Sequence, residues 1–253
     1  MSLRPCAVVL NGGKLNFDGK LSYAALEAVV DLKTYDDTTA SQVAERAAGT
    51  AILITKEMPI PGEVIAALPD SVRLICEAGT GFNNIDVAAA KERGIAVTNV
   101  PSYSTQAVAH LVITAIMSFS CSLVTQQRKV ATGDRLGWRS LGTLPHFELS
   151  GTTLGLVGGR GSIGTAVADV ALALGMRVLI SSRSTTPSGR EGVETVDLPT
   201  LLRRSDFVSI HCPLTGETRH SIGAAELAQM KQSAYVINTA RGAIINEAEL
   251  VAA

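Results

Sequence analysis

Apolar residues arrive in short runs separated by longer segments in which they recur every three or four positions. The runs CAVVL (6–10), AILIT (51–55), RLICEAG (73–79) and IAVTNV (95–100) have the length and β-branched content of buried strands. Between them, YAALEAVV (23–30), ASQVAERAA (40–48), GEVIAALP (62–69) and IDVAAAKERG (85–94) carry helical spacing, and Gly94 suits a helix C-terminus. Strand and helix in alternation predict a parallel, doubly wound sheet for residues 1–100. Pro101 marks a boundary. A long uncharged helix follows over about 103–124, then an irregular stretch, KVATGDRLGWRSLGTLPHFELSG (129–151), which holds Trp138. A second series starts at TTLGLVGGRGSIG, with strands expected near 153–157, 177–181, 206–210 and 234–237. The spacing ends in a helix from about Asn246, a good N-cap, with Glu247 and Glu249 in the first turn where the dipole favours carboxylates. The expected architecture is two α/β domains, 1–100 and 101–253.

Composition narrows the function classes. The chain has 253 residues, is 46% hydrophobic and only 4% aromatic, and carries a formal net charge of −1. That balance offers no basic footprint for nucleic acid. Cys6, Cys76, Cys121 and Cys212 lie far apart without a CxxC pair, so neither a disulfide framework nor a metal site is expected, and a reducing cytoplasm is. The opening MSLRPCAVVLNGG lacks a signal-peptide core of proper length and reads as a first strand. Between Arg93 and Arg128 no charged residue occurs, and 107–124 is nearly long enough to span a bilayer. His110, Thr114, Ser118, Ser120 and Ser122 interrupt it, and no basic cluster flanks it directly. A helix buried in a homodimer interface is the expectation, and not a membrane span. His110 itself reads as a core histidine.

The GxGxxG stretch GRGSIG (159–164) follows a strand and opens a helix. Gly159 would make the tight turn, Gly161 would admit a pyrophosphate, and Gly164 would let the helix pack on its strand. The amides of Ser162 and Ile163 would face the phosphates from the positive helix end. Glycines that merely form a turn are the alternative. After the next strand, Ser182 stands where a site for NAD wants a carboxylate, and Arg183 follows. A hydroxyl and a guanidinium suit a 2′-phosphate, which favours NADP(H). An ordinary surface arginine beside a loosely held NAD(H) is the other reading.

Four ordered stretches, AGTGFNNIDVAAAKERGIAVTNVPSYSTQAVA (78–109), GTTLGLVGGRGSIG (151–164), SDFVSIHCPLTGETRHSIG (205–223) and MKQSAYVINTARGAIINEAEL (230–250), resemble the signatures of the D-isomer-specific 2-hydroxyacid dehydrogenases, nearest the glycerate dehydrogenase (hydroxypyruvate reductase) branch. The resemblance implies a flavodoxin-like substrate domain, a Rossmann cofactor domain, and hydride transfer between NADPH and a small 2-keto or 2-hydroxy acid. It implies that Arg241 holds the substrate carboxylate and polarises the keto oxygen, and that the amides of Thr80 and Gly81 receive the carboxylate. It places Thr105 at the nicotinamide end and Cys212, Pro213, Thr218, Thr239 and Ala240 along the cofactor track. Thr218 as a helix cap and Pro213 as a strand terminator are the plainer readings. Two departures stand out. Gly158 and Gly159 are paired, lengthening the glycine loop by one residue, and His110 replaces a Glu or Gln. The family's acid/base histidine and its carboxylate partner follow the Arg motif beyond Ala253. The expectation is therefore a C-terminally truncated member with little turnover of its own. A non-catalytic nucleotide-binding or interaction protein on the same fold is the competing class.

Overall fold

The computed structural model describes residues 4–133, 144–184 and 186–253, so Trp138 and the middle of the 129–151 stretch lie outside the described residues. The chain divides into two compact units, Met1–Tyr103 and Ser104–Ala253.

In the first unit five parallel strands, β1 (Cys6–Val9), β2 (Asp31–Thr34), β3 (Ile52–Thr55), β4 (Leu74–Glu77) and β5 (Ala96–Thr98), lie in the order β2-β1-β3-β4-β5. This is the flavodoxin-like order. The central strands are apolar on both faces because helices cover both. Val8, Leu53 and Ile75 are completely buried, in one core with Val43 and Ile65 from the helical layer. The helices are shorter than their apolar spacing predicts: 23–30 yields only Ala24–Glu27, and 40–48 a 3₁₀ turn followed by Val43–Arg46. Asp86 caps Val87–Glu92 by accepting from the Ala89 amide at 3.0 Å, and Gly94 ends it at φ +66°.

The second unit adds β6 (Thr153–Val157), β7 (Arg177–Ser181), β8 (Val193–Thr195), β9 (Phe207–Ile210) and β10 (Tyr235–Asn238), all parallel, in the order β10-β9-β6-β7-β8. Renumbered within the unit, this is the Rossmann order 3-2-1-4-5. Side chains alternate between two covered faces. Leu154, Leu156, Val178, Ile180 and Phe207 join Val112, Ile116 and Val167 from the helices Thr105–Ser120 and Ser162–Ala173. Leu179 and Val208 point the other way, onto Leu201 and Leu202 of the helix Leu198–Arg204. The last helix, Glu247–Ala252, is capped by Asn246 as its sequence predicts.

The uncharged run is not one helix. Thr105–Ser120 and Leu123–Ala131 meet at a 69° bend. Ser122 takes the left-handed conformation there (φ 49°), and its hydroxyl donates to the Pro145 carbonyl at 2.6 Å. Among the described residues no single helix is long and apolar enough to cross a membrane, although the bent pair passes that test together. His110 is exposed, contrary to the core position its apolar surroundings suggest.

Candidate functional site

Both sheets are parallel, so candidate chemistry collects at the carboxyl ends of their strands. In the second unit the turn after β6 carries the glycines. Gly158 opens the tight turn at φ +79°, its amide donating to the Ser181 carbonyl at 2.7 Å, and Gly159 continues it. A Cβ on Gly158 would stand 2.7 Å from the Cys212 amide nitrogen, so the paired glycine lets the loop close against the end of β9. A Cβ on Gly159 would lie 2.5 Å from Leu156 Cβ, and one on Gly164 2.5 Å from Gly159 Cα. Gly164 thus allows the helix to start against the loop. Gly161 differs. It is the N-cap, and the nearest atom to a Cβ there is the Gly158 carbonyl oxygen at 3.9 Å, so its face is open. Ser162 and Ile163 occupy the first turn, whose amides have no acceptor within the helix. An anion is favoured at such an end. Thr105, the first residue of its own helix, donates from Oγ1 to Ser162 Oγ at 3.3 Å, which places it at the phosphate loop.

At the end of β7, Ser182 donates to the Ser184 carbonyl at 2.8 Å and accepts from Arg160 Nε at 3.0 Å. Arg183 is exposed. Along the opposite side of the loop, Cys212 is half-buried, and burial pushes its thiol pKa up. His211 precedes it, with Nε2 2.9 Å from Ser209 Oγ, and burial pulls its pKa down to about 4. It is therefore neutral over the ordinary pH range. Thr218 donates to the Pro213 carbonyl at 2.6 Å and accepts from the Thr215 amide at 2.8 Å, so its hydroxyl organises the 213–218 turn.

The turn after β10 is built around Asn238. Its Nδ2 donates to the Arg241 carbonyl at 2.8 Å, and its Oδ1 accepts from the Ala240 amide at 3.1 Å. This brace orders Thr239, Ala240 and Arg241. Arg241 is half-buried, and its Nη1 donates to the Ala240 carbonyl at 2.9 Å. Thr239 Oγ1 is buried without a partner among the described residues, a hydroxyl left available to a bound molecule. An open glycine face, amides at a helix start and a buried spare hydroxyl fit a dinucleotide.

In the first unit the loop after β4 holds Thr80 and Gly81. Thr80 Oγ1 donates to the Val100 carbonyl at 3.0 Å, and Asn99 Nδ2 donates to the Thr80 carbonyl at 2.7 Å. The loop is anchored from beneath by Glu77, which is 1% exposed. That carboxylate accepts from the Glu57 amide at 2.9 Å and from Asn84 Nδ2 at 2.8 Å. Lys56 borders the same loop: a Cβ on Gly79 would lie 3.0 Å from its ammonium, which also meets Tyr103 Oη at 3.2 Å. Sequence reasoning missed Glu77, Asn84, Lys56 and Arg160. Glu77 and Lys56 stand at strand ends in RLICEAG and after AILIT, and that position is the one signal that marks them.

A family model described as D-isomer specific 2-hydroxyacid dehydrogenase, NAD binding domain, matches residues 113–253. The glycerate dehydrogenase of Methylorubrum extorquens is 36% identical over 229 residues, covering 88% of this chain and 69% of that protein. Among solved structures, a glyoxylate reductase from Paecilomyes thermophila matches with a TM-score of 0.85 at 30% identity, over 100% of this chain and 78% of that one. An acyclic imino acid reductase in complex with NADPH and D-Arg matches with a TM-score of 0.86 at 25% identity, over 97% and 78%.

Proposed function

The chain belongs to the D-isomer specific 2-hydroxyacid dehydrogenases, and from that premise we propose that it transfers hydride between NADPH and a small 2-keto acid, hydroxypyruvate or glyoxylate. The observation that carries the reading is the pairing, in one unit, of the open Gly161 loop with Arg241 on the braced turn after β10. A bound nicotinamide dinucleotide supplies the hydride. The protein does the rest. The amides of Ser162 and Ile163 hold the pyrophosphate, with Thr105 beside them. Cys212, Pro213, Thr239 and Ala240 border the track, and the neutral thiol adds no charge to it. Arg241 presents a rigid fork to the substrate carboxylate and places positive charge at the keto oxygen, where negative charge develops. In the first unit the amides of Thr80 and Gly81 have no backbone acceptor among the described residues and are free to receive a carboxylate.

NADPH is preferred over NADH because Ser182 and Arg183 replace a carboxylate that would repel a 2′-phosphate. The related NADPH complex supports nicotinamide dinucleotide binding in general. Four free thiols support a reducing compartment, the cytoplasm. The bent helix pair exposes Leu111, Met117, Leu123, Val124 and Val130, and this apolar face supports a homodimer built on it.

The test is absorbance at 340 nm with NADPH and either keto acid. Oxidation that requires the keto acid and is faster with NADPH than with NADH supports the proposal. Tight NADPH binding with neither keto-acid-dependent oxidation nor keto-acid binding would replace it with a nucleotide-binding role.

A further inference from the structure

The residue that reaches the end of β7 from the glycine loop is Arg160, the first variable position of GRGSIG. It crosses to three separate segments. Nε donates to Ser182 Oγ at 3.0 Å, and Nη2 donates to the Thr186 carbonyl and to Thr195 Oγ1 at 3.3 Å. Nη1 has no acceptor among the described residues, so the fork keeps donors to spare. Beside it lie four hydroxyls: Ser182 and Ser184 already donate, to the Ser184 carbonyl and to Thr186 Oγ1 at 3.1 Å, whereas those of Thr186 and of Thr195 on β8 only accept.

Two acids on this side of the unit are held by other arginines. Glu194 is held by Arg204 through two bonds of 2.8 and 2.7 Å, and Arg190 pairs with Asp169. Arg160 has no carboxylate partner among the described residues. The corner therefore carries a guanidinium with no bonded acid and two hydroxyls, Thr186 and Thr195, with protons left to donate. Thr195 also lines an open concavity with residues 187–190, 193 and 194.

Such a corner has little to gain from a ribose whose hydroxyls are both free, because neither supplies negative charge. A phosphate dianion satisfies both the guanidinium and the hydroxyls, and charge-assisted bonds to guanidinium are the strong ones. We propose that Arg160, anchored on Ser182 and Thr195, is the principal clamp for the 2′-phosphate of NADPH and sets the cofactor preference, with Arg183 secondary. The inference rests on the NADPH reading given above and names the group that enforces it.

The probes are adenosine 2′,5′-bisphosphate and adenosine 5′-monophosphate, which differ by that phosphate alone, titrated calorimetrically into the intact chain. Wild type should bind the bisphosphate more tightly. Arg160→Met should reduce that preference about 10- to 100-fold, the cost of one or two charge-assisted hydrogen bonds. Arg160→Lys should keep part of it, and Thr195→Val should lower it several-fold by freeing the fork. Arg183→Met should lower it less than Arg160→Met does. A wild type without preference would overturn both the NADPH reading and this inference. A wild-type preference that survives Arg160→Met and Thr195→Val, or that falls further with Arg183→Met, would overturn the inference alone. Equal weakening of both probes by Arg160→Met would also overturn it, by placing Arg160 on the pyrophosphate.

Discussion

His211 shows how one buried residue couples stability to pH. Its folded pKa is about 4 against an ordinary 6.5. Between those values the unfolded chain binds a proton that the folded chain does not, so stability falls as pH drops from 6.5 toward 4. The loss is up to about 1 kcal/mol per pH unit. Urea denaturation at pH 7 and pH 5 should show it, and His211→Gln should flatten the slope; parallel slopes would contradict the assignment. The glycines separate folding from binding. Gly158→Ala forces a positive φ and a clash with the backbone of Cys212, and should lower the melting temperature markedly. Gly161→Ala meets nothing closer than 3.9 Å, so the fold should survive while dinucleotide affinity drops at least tenfold in a fluorescence titration. Equal melting losses in the two variants would refute this division.

At the scale of elements, what the sequence revealed followed burial. Strands such as β1, β3, β6 and β9 are covered on both faces, so their apolar runs were legible. Of the four edge strands, β2 (DLKT) and β8 (VET) were not legible, because they are short and polar and leave no apolar run, whereas β5 (AVT) and β10 (YVIN) keep one. β8 matters, since it brings Thr195 to Arg160. The bend at Ser122 was hidden for another reason: it rests on a tertiary bond to Pro145, and no glycine or proline announces it. The glycine loop was legible from its local spacing, and the role of Arg241 was implied only by the resemblance of its motif. Arg160 was not, because only the folded loop shows where its guanidinium lands. The helix Thr105–Ser120 also yields a prediction. Ile116 is completely buried in the core shared with Leu156 and Val167. Ile116→Ala should cost about 2–5 kcal/mol in urea denaturation, and a loss under 1 kcal/mol would show that the helix packs loosely.

For the whole molecule, two units with separate cores each present chemistry at the carboxyl ends of their strands, and the second also presents an apolar face outward. If that face joins two copies, sedimentation should show a dimer and Leu111→Glu with Val124→Glu should give a monomer. A monomeric wild type would leave the face to another partner. The central claim is that one unit holds the dinucleotide on its glycine loop and the keto acid on Arg241, through separable contacts. Calorimetric titration of hydroxypyruvate into the protein saturated with NADP⁺ tests it most directly, because no turnover intervenes. Arg241→Gln should weaken keto-acid binding by about 10- to 100-fold, the loss of a bidentate charge-assisted pair, and leave NADP⁺ affinity within a few-fold of wild type. Keto-acid binding unchanged by Arg241→Gln, or lost together with NADP⁺ binding, would contradict the account.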